Sequence, residues 1–291
     1  MMPSVSVVIA AKNYGRYLPS ALDSALAQTR LPDEIIVIDD GSTDNTLLMI
    51  RPYLSNPRVK YVPLNGLGVC RARNLGIELS KGELIAFLDA DDLWEPTKLE
   101  RQLPLFADPG VGVVYARRTL IDPNGKPLSS QRSDLHRGEL FNVFLRTNPV
   151  CFSSAVVRRN VFDHVGLFDP SLSLAVDYDL WLRIAPYHRF DYVDEPMVSY
   201  RTGHGNLSSR MAERTETVFH LLRRVLSRRD LPVMPDPESV AEAWGSTCRS
   251  MGYATKKRSR MEAAKWYLKA ATHDGHWLRS FKSAAGALLK R

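Results

Sequence analysis

The stretch ELIAFLDADDLWEP, residues 83–96, limits the architecture of this chain more than any other. Leu84, Ile85, Ala86, Phe87 and Leu88 form an unbroken apolar run, the pattern of a short central strand covered on both faces. Asp89, Asp91 and Asp92 follow at once, and Pro96 opens a helical pattern reaching about residue 106. In open α/β sheets, ligands bind at the carboxyl ends of the strands. Such a strand therefore delivers three carboxylates to a ligand-binding edge. Carboxylates packed this closely repel one another unless a cation or a proton sits among them. Asp and Glu oxygens are usual ligands of Mg²⁺ and Mn²⁺, and substrate phosphates often fill the remaining positions. The stretch reads as a metal and diphosphate site, with a plain acidic cap on the following helix as the alternative. A calcium loop does not fit, because Leu93 and Trp94 stand where an EF-hand needs an oxygen ligand and a glycine.

The residues before this strand alternate between strand and helix patterns. SVSVVIAA (4–11) is a β-branched strand ending in Lys12-Asn13-Tyr14-Gly15, followed by a helix with Leu18, Ala21, Leu22, Ala25 and Leu26 on one face. EIIVIDDGSTDNT (34–46) is a second strand, and Thr43 or Asp44 can cap the helix after it. VKYVPL (59–64) is the third. Gly66-Leu67-Gly68 then leads into a helix with Arg71, Arg73 and Asn74 in its early turns. Alternation of this kind predicts right-handed crossovers and a mostly parallel sheet. Beyond residue 110 the pattern is mixed. Strands are expected over 111–122, 151–157 and 190–202, and helices over 137–147 and from Asp177 to 185. From about residue 206 only helical patterns remain, broken by LPVMPDP (231–237) and turning at Asp274-Gly275.

Two rival nucleotide motifs fail. Arg71 follows Gly66-x-Gly68 where a dinucleotide fingerprint needs glycine or alanine, and no G-x-x-x-x-G-K-[ST] is present. The 291 residues carry a net +7, unevenly placed. Residues 206–291 hold 17 Lys/Arg against 8 Asp/Glu, a net +9, whereas residues 1–205 are at −2. A basic tail of this kind points to an anionic partner, a membrane surface or nucleic acid. Cys70, Cys151 and Cys248 match no zinc spacing and cannot all pair, which points to a reducing, cytoplasmic setting. Neither a signal peptide nor a membrane-spanning run is apparent.

Six stretches in one order, VSVVIAAKN, IIVIDDGSTDNT, ARNLGI, GELIAFLDADD, VDYDLWLR and YRTGHGNLS, closely resemble the family 2 glycosyltransferases over residues 4 to about 208. That resemblance implies a GT-A fold, an α/β Rossmann-like mixed sheet, here with a C-terminal helical appendage. The implied division is a catalytic domain over 1–207 and a basic α-helical region over 208–291. It implies an inverting, nucleotide-sugar-dependent enzyme using Mn²⁺ or Mg²⁺. Carried over residue by residue, Ala10 and Lys12 line the nucleotide pocket and Asp40 holds the base. Arg73 and Asn74 lie beside the donor, and Asp91 and Asp92 form the metal and diphosphate motif with Asp92 the nearest metal contact. Asp177 matches the catalytic base, and His204 lies on a loop that closes over the donor. Family members commonly have Glu-Asp where this chain has Val176-Asp177, and Asp179 offers a second carboxylate close by.

The chemistry points the same way. Departure of a nucleoside diphosphate needs its charge stabilised, which a divalent cation does. One positioned carboxylate can deprotonate an acceptor hydroxyl. A single base with no enzyme nucleophile implies one in-line displacement and inversion. The expected partners are a nucleotide-sugar donor and a saccharide or lipid-linked saccharide acceptor, with peripheral contact to an anionic membrane at the inner face of the plasma membrane and no nucleic acid. The setting that the family resemblance implies is bacterial surface polysaccharide or lipopolysaccharide synthesis. Two other classes are a sugar-nucleotide pyrophosphorylase, whose glycine-rich N-terminal loop is replaced here by AAKNYGRYL, and a catalytically silent nucleotide-binding module.

Overall fold

The computed structural model describes residues 3–128, 134–204 and 211–289. Residues 205–208 of the last motif, the expected domain boundary at 207/208, and Arg210, Lys290 and Arg291 of the basic tail lie outside the described residues. The chain forms two compact units. One takes Met1–Glu139, Pro149–Leu180 and His188–Asn206; the other takes Leu140–Asn148, Trp181–Tyr187 and Leu207–Arg291. The division is therefore interrupted along the chain, where the sequence suggests a single cut.

In chain order the elements up to residue 201 are β1 (Val5–Ala11), α1 (Leu18–Leu26), β2 (Glu34–Asp39), α2 (Thr46–Ile50), β3 (Val59–Pro63), α3 (Val69–Leu79), β4 (Leu84–Phe87), β5 (Leu93–Trp94), α4 (Lys98–Gln102), β6 (Val111–Ile121), β7 (Pro127–Leu128), α5 (Phe141–Arg146), β8 (Val156–Arg158), α6 (Arg159–Val165), α7 (Val176–Ile184) and β9 (Arg189–Arg201). The sheet of the first unit runs β3-β2-β1-β4-β8-β6-β9-β5, with β7 on β6. Strands β1 to β4 are parallel, Val7 facing Ile35 and Ala86 across the ladders. Strand β8 is antiparallel to both β4 and β6, and β6 and β9 are parallel. The sheet is thus mixed, with its parallel half carrying the Asp-rich strand ends.

The apolar runs form strands because both their faces are covered. Val5, Val7, Ile9, Leu84 and Ala86 pack with Leu18, Ala21, Leu22 and Ala25 of α1. Ile36 and Ile38 cluster with Ala72 of α3 on the opposite side. Helix α3 lies close against β1: a Cβ on Gly76 would come within 2.4 Å of the Val8 side chain. Only glycine permits that approach, which fixes how α3 presents Arg73 and Asn74.

Three expectations change. Residues 151–157 do not form one strand: Phe152–Ser154 is a short 3₁₀ turn and β8 begins at Val156. Ser154 Oγ donates to the Cys151 carbonyl at 2.7 Å and accepts from Ala116 N at 3.2 Å; such local side-chain bonds compete with a ladder. Leu93-Trp94 pairs with β9 before α4 starts, so the helix begins later than Pro96 indicates. Helix α6 has no counterpart in the sequence reading.

Lys98 is fully buried beside Trp94. Its ammonium donates to Gln102 Oε1 at 2.7 Å and lies 4.1 Å from the Trp94 ring centre. Burial pulls its pKa down from 10.5 to about 7. Between pH 7 and 10.5 the unfolded chain then binds more protons than the folded one, so stability rises with pH across that window. Lys98→Met is expected to flatten that rise, read from urea midpoints over a series of pH values.

The second unit is helical. Besides α5 it contains α8 (Met211–Leu226), α9 (Pro237–Thr255), α10 (Arg260–Asp274) and α11 (Trp277–Leu289). The starts and stops follow local chemistry. Asp236 caps α9 by accepting from Ser239 N at 2.7 Å, with Pro237 in the first turn. Ser259 and Glu262 occupy the capping-box positions of α10. Gly275, at φ +71°, ends α10 at the turn expected there. The apolar face of α8 is used internally. Leu221, Leu222 and Val225 are buried, and Phe219 meets Trp244 and Trp266 edge-on at 5.4 and 5.6 Å.

Candidate active site

The ends of β1 and β2 interlock. Asn13 adopts φ +61°, and its Oδ1 accepts from Thr43 N at 2.7 Å while its own N–H donates to Ser42 Oγ at 2.8 Å. Asp39 is tied down by Ser42 N at 2.9 Å and the Tyr61 hydroxyl at 2.7 Å. Asp40 accepts from the backbone N–H groups of Leu67 and Gly68 at 2.6 and 3.0 Å, and Lys12 Nζ lies 3.7 Å away. Gly41, at φ +77°, leaves no room for a side chain, because a Cβ would lie 2.9 Å from Gly66 N. Half-buried Ala10, exposed Lys12 and buried Asp40 are thereby gathered where β1 and β2 end.

The Asp-rich turn at the end of β4 sorts its three carboxylates by environment. Asp89 is paired with Arg73 at 2.6 Å, and that guanidinium stacks 3.9 Å from the Phe152 ring centre. Asp91 Oδ2 lies 2.8 Å from His204 Nε2. Asp92 has no exposed surface; Oδ1 accepts from Arg201 N at 2.9 Å and Oδ2 from the Ser153 hydroxyl. The sequence suggested Asp92 as nearest to a metal, but it is Asp91 that meets the imidazole, with Asp92 bound inside the protein. Burial, then the charge of Asp89, raises the Asp91 carboxyl to about 7. Burial and the charges of Asp91 and Asp89 raise Asp92 well above the usual range. Burial, followed by the same three carboxylates, pushes the Tyr14 phenol up. His204 is held below its ordinary value by burial and by Arg201, so it meets Asp91 unprotonated at neutral pH.

This arrangement was tested against the divalent cation that the sequence implies. Among the described residues no three carboxylate, imidazole or thiol groups converge on one point. Two do, Asp91 and His204, and His204 Nε2 is buried with no hydrogen bond to satisfy it although Asp91 Oδ2 is 2.8 Å away. A neutral imidazole beside a carboxylate, both wanting a cation, suits Mn²⁺ or Mg²⁺. Sites of this class commonly take one or two protein ligands and complete their shell with water and substrate phosphate. The residues fit.

Asn74 turns away from the carboxylates. Its Nδ2 donates to the Phe168 carbonyl at 2.8 Å and its Oδ1 accepts from Phe168 N at 2.9 Å. Cys70 Sγ lies 3.3 Å from the Leu172 carbonyl. Helix α3 thus holds Arg73 on Asp89 and, one residue on, anchors the segment that leads to α7. Ala175, at φ +51°, precedes that helix; this left-handed conformation costs a residue with a side chain roughly 1–2 kcal/mol. Asp177 and Asp179 both stand in the first turn of α7, where negative charge is favoured. Asp179 is 2% exposed, and Asp177 keeps partial access to solvent.

Two contributors escaped the sequence reading. Arg201 donates from its backbone to Asp92, from Nε to the Asp91 carbonyl at 2.8 Å, and from Nη1 to the Asp122 carbonyl at 3.1 Å. Its place in YRTGH, three residues before His204, was the available signal. Ser153 gave none. Its hydroxyl bonds to Asp92 and lies 3.1 Å from Asp89 N, and its carbonyl accepts from Trp94 Nε1 at 2.7 Å. Ser153→Ala is expected to lower stability by about 1–3 kcal/mol, because buried groups lose a partner. Mn²⁺ affinity should fall by about 10–100-fold, the usual cost of removing a group that orients a ligand-bearing turn. Denaturant midpoints and a Mn²⁺ titration read the two effects separately.

Comparison with known proteins shows the family and the fold. Residues 6–166 match the model for glycosyl transferase family 2. An uncharacterized glycosyltransferase of Nostoc sp. is 39% identical over 175 residues, 57% of this chain and 54% of the relative. The chondroitin synthase of Escherichia coli is 29% identical over 235 residues, 78% of this chain and 33% of the relative. The chain thus spans about half the length of the first of these and a third of the second. Among solved structures, a mannosyltransferase from Pyrobaculum calidifontis in complex with GDP-Man and Mn²⁺ superposes with a TM-score of 0.67 at 21% identity, covering all of this chain and 82% of that one. At that identity the likeness is one of fold, the GT-A arrangement of mixed sheet and helices. The match over more than half of its length identifies the chain as a member of glycosyltransferase family 2.

Proposed function

We propose that this chain transfers a sugar from a nucleotide-diphosphate sugar to an acceptor hydroxyl with inversion at the anomeric carbon. The observation that carries the reading is the pairing of Asp91 with His204, beside Arg73 and Asp89, at the end of a central strand. In this reading Asp91 and His204 hold the divalent ion, and Asp92 is the buried brace that keeps their turn in shape. A bound Mn²⁺ or Mg²⁺ supplies Lewis-acid stabilisation of the leaving diphosphate. Ala10, Lys12 and Asp40 line the nucleoside pocket; Lys12, 52% exposed at its side chain, is free to reach a phosphate. Arg73 adds positive charge next to the diphosphate, and Asn74 keeps the segment before α7 in register. Asp177 takes the proton of the acceptor hydroxyl as that oxygen attacks the anomeric carbon. Partial access to solvent supports Asp177 over buried Asp179 for this role.

The acceptor is a saccharide or lipid-linked saccharide of a bacterial surface polysaccharide, a reading supported by similarity to a chondroitin synthase. Cys70, Cys151 and Cys248 are buried and match no zinc spacing, which supports a reducing, cytoplasmic compartment. The net +9 of residues 206–291 supports a catalytic domain of 1–207 followed by a basic helical region that touches an anionic membrane peripherally. Among the described residues no helix is long and apolar enough to cross a membrane.

A panel of nucleotide sugars, read by thermal shift with and without Mn²⁺ and then by turnover, tests the proposal. A matching donor should raise the melting temperature, because it binds only the folded state. The anomeric configuration of the product, read by NMR, should be inverted. Release of a sugar 1-phosphate and nucleoside triphosphate from donor and pyrophosphate would establish a pyrophosphorylase instead. Binding with no turnover of any donor would leave a silent nucleotide-binding module.

A further inference from the structure

Helix α11 is apolar on two sides. Its inner side is buried: Ala284 and Ala287 cluster with Ala263, Ala264 and Tyr267 of α10, and Ser280 lies beside them without exposure. At about 100° per residue, Trp277, Leu278, Phe281 and Leu288 fall on the adjoining arc, itself about 100° wide. These four are exposed by 48%, 78%, 54% and 54%. Trp277 and Phe281 stack on each other at 5.8 Å. Exposed Arg279 and Lys282 occupy the arc beyond. No Asp or Glu occurs from residue 275 to 291.

Single exposed apolar residues need no explanation, but a contiguous apolar face does. Helix α8 does not meet that description, because its Leu221, Leu222 and Val225 are buried. A second copy of the chain is a poor occupant for α11. Two-fold pairing would bring Arg279 and Lys282 near their own duplicates with no acidic residue on the helix to meet them. An anionic bilayer satisfies both faces, accepting the apolar arc at the acyl boundary and the cations at the headgroups.

We propose that α11 is an interfacial helix lying in the plane of an anionic bilayer, with Leu278, Phe281, Leu288 and Trp277 inserted and Arg279 and Lys282 at the headgroups. The inference deepens the peripheral contact proposed above, replacing a purely electrostatic touch by shallow insertion of one helix. The test is flotation of the whole protein with phosphatidylcholine vesicles, with and without phosphatidylglycerol, alongside donor turnover. The protein should float with anionic vesicles at about 0.15 M salt. Arg279→Gln with Lys282→Gln should weaken binding by about 30-fold. Leu278→Ser with Phe281→Ser should weaken it more than about tenfold. Donor turnover without vesicles should be unchanged in both variants. Loss on charge removal with full binding by the serine variant would overturn insertion and leave the electrostatic contact standing. Absence of flotation even at low salt would overturn both. A concentration-dependent dimer that the serine substitutions abolish, with no vesicle binding, would assign the face to a second copy.

Discussion

Asp177→Asn is expected to slow sugar transfer by about 10²–10⁴-fold, the usual value of a positioned general base. The amide keeps the shape of the side chain and removes its ability to accept a proton. Donor affinity, measured by calorimetry in the presence of Mn²⁺, should stay near that of the unaltered protein, because the nucleoside and diphosphate contacts proposed above involve β1, β2 and the turn after β4. Asp179→Asn is the control. Asp179 is buried, so its substitution should act on stability rather than turnover. A large loss of turnover in Asp179→Asn and a small one in Asp177→Asn would transfer the role by two residues along α7.

Asp91→Ala combined with His204→Ala should abolish the Mn²⁺-dependent part of donor binding, a loss above about 100-fold. The partners that merely orient metal ligands are already worth about 10–100-fold. Full turnover in excess chelator would sink this assignment. The same carboxylate sets a pH dependence. Its folded pKa of about 7 lies above the ordinary 3.8, so between those values the folded chain binds more protons than the unfolded one. Stability of the metal-free protein should therefore fall as pH rises from about 4 to 7. Asp91→Asn should flatten that fall. Mn²⁺ affinity should climb through the same range, since a ligand must lose its proton before it binds. Urea midpoints and Mn²⁺ titrations at matched pH give both slopes.

The parallel half of the sheet was legible because apolar runs such as 35–38 and 84–88 can be satisfied only by burial on both faces. The positions of the candidate site residues at strand and helix ends were legible for a related reason. Asp40, Asp91 and Asp177 follow a strand or open a helix, and those are the positions where an α/β fold gathers ligands. The turn at Gly275 was local too, depending on residues no more than a few apart.

The assignment of tasks within the acidic turn was not local. Asp89, Asp91 and Asp92 are chemically alike and nearly adjacent, so sequence cannot rank them. Arg73, Ser153, Arg201 and His204 distinguish them, arriving from α3, a 3₁₀ turn, the end of β9 and the residues after it. The same holds for the tail. The sequence showed only helical patterns where α8 and α11 form. Which side of each is covered depends on neighbouring helices. Trp244 and Trp266 meet Phe219 of α8, whereas α10 covers only the alanine side of α11. Residue type and spacing determined what each segment could become. Partners distant in sequence decided which carboxylate faces an imidazole and which apolar face remains exposed, because burial and charge compensation are properties of the packed chain.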